Sequence, residues 1–123
     1  MENVLVCCPD VVMSDLLRLN LSRRGYAVRQ EHWDLCYGPP DYAPRGRGEG
    51  LVIADLGCPE PECWIAAEVL RSVIPSLPVL FLVYAHPGPA RMESCQPCAY
   101  LHKPFAMEDL FASLRGLLST SPS

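Results

Sequence analysis

The chain has 123 residues, half of them hydrophobic and a fifth charged, with a formal net charge of −4. That length accommodates one domain with a real core, and the composition excludes intrinsic disorder for its body. The acidic balance gives no electrostatic case for nucleic acid or an anionic membrane surface, and no run approaches the apolar length that spans a bilayer.

The first residues lack a basic start and a long apolar run, so they do not read as a signal peptide, and the expected compartment is the cytoplasm. Seven cysteines, at positions 7, 8, 36, 58, 63, 95 and 98, then read as buried thiols rather than a disulfide framework.

Residues 4–7 are a compact apolar run, the pattern of a first buried strand, which Pro9 and Asp10 end as a helix begins. Residues 11–24 carry apolar side chains at Val12, Met13, Leu16, Leu17, Leu19 and Leu21 and leave Arg18, Arg23 and Arg24 for solvent. This predicts one amphipathic helix, with Gly25 at the C-terminal cap. Residues 26–31 follow as a shorter strand, at a sheet edge given its charges. The stretch 37–50, YGPPDYAPRGRGEG, is too rich in Gly and Pro for a regular helix. It reads as an irregular crossover, long enough for the next strand to run parallel to the earlier ones.

That next strand is LVIADLG at 51–57, an apolar, partly β-branched run that ends in Asp55 with Gly57 two positions on. Parallel sheets place binding sites outside the carboxyl ends of their central strands, so Asp55 is a candidate functional residue as well as an ordinary strand-end aspartate. A helix is predicted over 60–73, with Pro61 in its first turn. A buried strand follows over 79–83, then a turn at His86-Pro87-Gly88-Pro89 and a short helix around 90–94 before Pro97. Residues 99–102 predict a fifth strand, Lys103-Pro104-Phe105 a turn, and 107–118 a final amphipathic helix with Glu108 and Asp109 at its positive end. The last residues, STSPS, read as a disordered tail or the start of a linker, leaving 1–118 as the domain. Strands alternating with helices imply a parallel, doubly wound α/β sheet of five strands and four or five helices.

Taken together, VLVCCPD at 4–10, RRGY at 23–26, VIADLGCPE at 52–60, LPVLFLVYA at 77–85 and above all YLHKPF at 100–105 resemble the receiver domain of bacterial response regulators. The resemblance covers nearly all of the chain, from Val4 to Leu118. It implies a flavodoxin-like sheet of order 2-1-3-4-5, here with helix 2 replaced by the Gly/Pro loop and helix 4 short. It also implies a role in two-component phosphorelay signalling, with a histidine kinase or effector domain as protein partner and no enzyme activity beyond self-phosphorylation. In that family the residue matching Asp55 accepts a phosphoryl group and the one matching Lys103 contacts the phosphoryl oxygens. The proline matching Pro104 usually follows a cis peptide bond, and the residue matching Tyr100 is an aromatic whose rotation reports activation.

The chemistry explains those types, because in-line attack by a carboxylate requires the charge developing on the phosphoryl oxygens to be neutralised. The family does this with magnesium, held by two acids after the first strand, the acceptor Asp and a carbonyl, here Gly57. Counting back from RRGY without a gap, the acidic pair falls on Cys8 and Pro9, with Asp10 one residue late. A thiol is a soft ligand and proline offers none, so magnesium should be weak or absent, with Asp10 a weak substitute if the loop shifts. The switch hydroxyl after the fourth strand is matched by Val83, which cannot make that hydrogen bond. Asp55 and Lys103 read equally well as a strand-end ion pair with no chemistry. The alternative function is then a phosphorylation-independent pseudo-receiver that binds protein partners or dimerises through its last strand and helix.

The cysteines give less. Cys8 should lie near Asp55, but a neighbouring carboxylate raises a thiol pKa while Lys103 lowers it, so packing is favoured over redox chemistry. Cys95 and Cys98 form a lone CxxC, expected far from Cys58 and Cys63, which is weak support for zinc. His102 is expected to face outward from its strand.

Overall fold

The structure is a computed structural model that describes residues 3–32, 50–57, 62–73, 77–84 and 97–120. Five strands, β1 (Asn3–Cys7), β2 (Ala27–Glu31), β3 (Leu51–Asp55), β4 (Val79–Val83) and β5 (Cys98–His102), form one sheet of order β2-β1-β3-β4-β5. Every pairing in it is parallel. Three helices are described: α1 (Val11–Arg23), α2 (Glu62–Val73) and α3 (Met107–Thr120). The fold class and strand order are those implied by the sequence. The Gly/Pro crossover up to residue 49 and the short helix expected around 90–94 lie outside the described residues, as do Cys36, Cys58 and Cys95.

The central strands are apolar except at Asn3, which opens β1, and Asp55, which ends β3, because both faces of the sheet are covered. β3 and β4 are buried along their whole length. Alternation along β1 sends Leu5 and Cys7 to one face, where they join Val52, Phe81 and the α2 residues Trp64, Ala67 and Leu70. Val4 and Val6 go to the other, against Leu17 and Leu21 of α1 and Leu110 and Leu114 of α3. Among the described residues one helix covers one face and two helices the other, which is the doubly wound arrangement.

α1 starts where Asp10 accepts hydrogen bonds from the backbone N–H groups of Val12 (2.9 Å) and Met13 (3.3 Å), satisfying amides that have no partner within the helix. It ends in a Schellman pair: Gly25 N–H donates to Ser22 O and Tyr26 N–H to Leu21 O. Gly25 has φ +91°, which a residue with a side chain adopts only under strain.

Two sequence expectations need correction. The packing face of α1 is narrower than its apolar content suggests: only Ser14, Leu17 and Leu21 are buried. Val12, Leu16 and Leu19 face solvent instead. Six apolar positions spread over more than one side of the helix, and only the side at Leu17 and Leu21 meets the sheet. The final helix also continues through Ser119 to Thr120 rather than stopping at Leu118. A serine and a threonine extend the backbone ladder of an established helix at little cost.

Candidate functional site

In a parallel sheet every strand ends on the same edge, so the residues that follow β1, β4 and β5 gather around the end of β3. Backbone hydrogen bonds carry the ladder one step past the strands and fix these positions. Cys8 N–H donates to Glu31 O (2.9 Å), Leu56 N–H to Leu82 O (2.9 Å) and Lys103 N–H to Val83 O (2.7 Å). Asp55, Cys8, Tyr84 and Lys103 are thereby brought together.

Asp55 and Lys103 are almost wholly buried, 7% and 8% exposed. Lys103 Nζ donates to Asp55 Oδ1 and forms a buried ion pair with it. The other carboxylate oxygen is also engaged: Cys8 Sγ donates to Asp55 Oδ2 at 3.4 Å and lies at the same 3.4 Å from the Asp10 carbonyl. The ring of Tyr84 covers the outer side of the ammonium, with its centroid 4.3 Å from Nζ. Tyr84 is itself 61% exposed, so it forms the solvent-facing wall of the cluster.

Burial pushes the Cys8 thiol up to about 12, and the Asp55 charge beside it acts in the same direction. The thiol is therefore neutral at physiological pH and acts as a hydrogen-bond donor rather than a nucleophile. A stability effect follows. Between the ordinary value of 9.0 and about 12 the unfolded chain releases this proton and the folded chain keeps it, so stability falls as pH rises through that window. The full slope for one proton is about 1.4 kcal/mol per pH unit. Urea unfolding of the parent and of Cys8→Ala at several pH values above 9.0 isolates this contribution. The parent should lose stability faster than the variant, and parallel losses would mean that Cys8 is not held as a neutral buried thiol.

The remaining predicted residues fall as follows. Gly57 borders the pair: a Cβ there would lie 3.9 Å from Asp55 Oδ1 and 4.0 Å from Lys103 Nζ, an ordinary contact. Asp10 is occupied at the N-terminus of α1 through Oδ1. Val83 is 1% exposed and packs in the core beneath α2. Tyr100 is half-buried, stacked on Phe81 with centroids 5.3 Å apart and edge-on to Trp64 at 6.0 Å. The Lys103–Pro104 peptide bond is cis. His102 is exposed. Sequence reasoning misses Tyr84, although its place one residue past β4, at the edge that carries Asp55, is a usable signal.

A doubly wound parallel domain with a carboxylate at the end of β3 and a lysine just past β5 defines a fold class first. In solved structures, the non-phosphorylated receiver domain of HemR from Leptospira biflexa has a TM-score of 0.74 at 21% identity, covering 100% of this chain and 98% of that one. The chemotaxis response regulator CheY4 of Vibrio cholerae has a TM-score of 0.73 at 20% identity, covering 95% and 98%. In sequence, the chain is 32% identical over 117 residues to the response regulator MprA of Mycobacterium avium, covering 94% of this chain and 50% of that protein. MprA of Mycobacterium tuberculosis matches at the same 32% over 117 residues. The chain spans about half the length of the curated relatives it matches. No protein-family model matches it. The curated relatives that it matches are response regulators, and its fold is that of receiver domains.

Receiver domains commonly bind magnesium at the phosphorylation site, and magnesium takes hard oxygen ligands. The donors at this site are poorly matched to it. Cys8 presents a neutral thiol, Pro9 has no side-chain donor and the Asp10 carboxylate caps α1. Among the described residues no three His, Cys, Asp or Glu side chains converge as a metal-binding group.

Proposed function

We propose that this chain is a cytoplasmic receiver domain of two-component signalling whose acceptor site is degenerate, and that it works as a pseudo-receiver, through protein contacts rather than phosphorylation. The observation that carries this reading is that both oxygens of Asp55 are already engaged, one by the Lys103 ammonium and the other by the Cys8 thiol. A nucleophilic carboxylate needs a free oxygen in line with the phosphoryl donor and a cation to neutralise the developing charge. Here Lys103 is the available cation and is paired with the nucleophile itself. The partner expected for such a domain is a histidine kinase or an effector domain, and the domain itself has no further catalytic chemistry. With Val83 where the family carries a switch hydroxyl, even a phosphorylated Asp55 would lack the usual link to the switch surface.

A second reading is favoured by the Asp55–Lys103 pair, which keeps the two residues that match the family's acceptor and phosphoryl contact side by side. In it Asp55 remains a slow phosphoacceptor. Intact mass after incubation with a small-molecule phosphodonor and magnesium, run beside Asp55→Asn, separates the two. The pseudo-receiver reading expects no adduct under conditions that label a conventional receiver. An adduct present in the parent and absent from Asp55→Asn would overturn it in favour of the second.

A further inference from the structure

We propose that the outward face of α1 is a self-association surface, on which α1 of one chain packs antiparallel against α1 of a second copy. Six large hydrophobic side chains are exposed among the described residues, and four of them are on this helix: Val11 (53%), Val12 (78%), Leu16 (46%) and Leu19 (46%). Val12, Leu16 and Leu19 follow a 4-then-3 spacing, which aligns them along one stripe on the side of the helix opposite the buried Leu17 and Leu21. A contiguous apolar stripe of this kind on a soluble domain marks an interaction site. The other sequence-expected surface is of different character: α3 exposes Glu108, Asp109, Ala112 and Arg115, so a dimer through the last helix would find little apolar surface there.

Charge decides the occupant and its direction. The N-terminal half of α1 with its cap carries Asp10 and Asp15 and no base, whereas the C-terminal half carries Arg18, Arg23 and Arg24 and no acid. A second copy in parallel would align like charges and like helix dipoles, while an antiparallel copy aligns opposites. A twofold axis near the middle of the helix sets Leu16 of one copy against Leu19 of the other, twice over, and lays Arg23 along Val12. The arginine stem then covers the valine, and its guanidinium reaches the turn that bears Asp15. Asp15 is held in place by Gln30 Nε2, which donates to its Oδ1 at 2.9 Å, and it also lies 4.0 Å from Arg18 Nε of its own helix, an exposed pair that contributes little by itself. Arg24 is committed elsewhere, over the ring of Phe111 at 4.0 Å, which leaves Arg23 as the interfacial cation of that turn.

Sedimentation equilibrium of the chain from low micromolar to millimolar concentration tests this. The parent is expected to show a monomer–dimer equilibrium, weakened about tenfold or more by Leu16→Glu or by Val12→Gln and unaffected by Ala112→Glu. These positions are exposed, so unfolding midpoints should stay near that of the parent and separate a lost contact from a lost fold. Asp15→Arg and Arg23→Asp should each weaken the dimer, and the two together should restore it. A parent that stays monomeric throughout overturns the proposal, even if Leu16→Glu then abolishes contact with a kinase or effector partner. A dimer lost in Ala112→Glu and kept in Leu16→Glu overturns it as well.

Discussion

Lys103→Met destabilises the fold by about 3 to 5 kcal/mol, the cost of leaving one member of a buried ion pair without its partner. The effect is large because Asp55 is only 7% exposed and so has little access to water in exchange for the lost ammonium. Among the described residues its remaining donor is the Cys8 thiol, a weak hydrogen-bonding group. Asp55→Asn should cost less, since the amide oxygen it introduces would still accept from Cys8 and Lys103 would keep the face of Tyr84. The double variant Asp55→Asn with Lys103→Met should be more stable than the sum of the two losses allows, because no unpaired charge is left in the site. Urea denaturation with an unchanged m-value checks all three. A Lys103→Met chain as stable as the parent would mean that the pair is solvated and contributes no more than a surface bridge, about 0 to 1 kcal/mol.

Cys8→Asp combined with Pro9→Asp should have the opposite character and create an activity. The two substitutions put carboxylates at the positions matching the family's acidic pair and remove the thiol from Asp55 Oδ2. Without magnesium the variant should be less stable than the parent, because three carboxylates then crowd one cation. Millimolar magnesium should recover that loss, and the variant should acquire an adduct at Asp55 from a small phosphodonor where the parent acquires none. Calorimetric titration with magnesium and intact mass before and after the phosphodonor give the two readouts. If the double variant binds no magnesium, the defect lies elsewhere in the loop and Cys8 and Pro9 are not what sets it.

The architecture is legible in the sequence because its signals are strong and local. The apolar runs at β3 and β4 have no polar interruption, which is what a strand covered on both faces requires. The change from apolar run to Asp55, and from β5 to Lys103, locates the edge where the site lies. The cap at Gly25 is readable for a conformational reason, since the chain turns there through a positive φ. Other features depend on tertiary geometry. Apolar residues surround much of α1, and periodicity alone does not say which of them meet the sheet, so Val12, Leu16 and Leu19 resemble core positions until the sheet is in place. The proximity of Cys8 to Asp55 follows from the strand ends. That its thiol engages the second carboxylate oxygen depends on side-chain reach, as does the position of Tyr84 over Lys103.

The most direct measurement is thermal unfolding of the parent chain and of Asp55→Asn across a magnesium series. A ligand that binds only the folded state raises the unfolding midpoint in a saturable way. If Asp55 is closed on Lys103 and Cys8, magnesium shifts both proteins by the same small, non-saturating amount. A saturable rise of several degrees in the parent, absent from Asp55→Asn, would show a working magnesium site and contradict the degenerate-site reading.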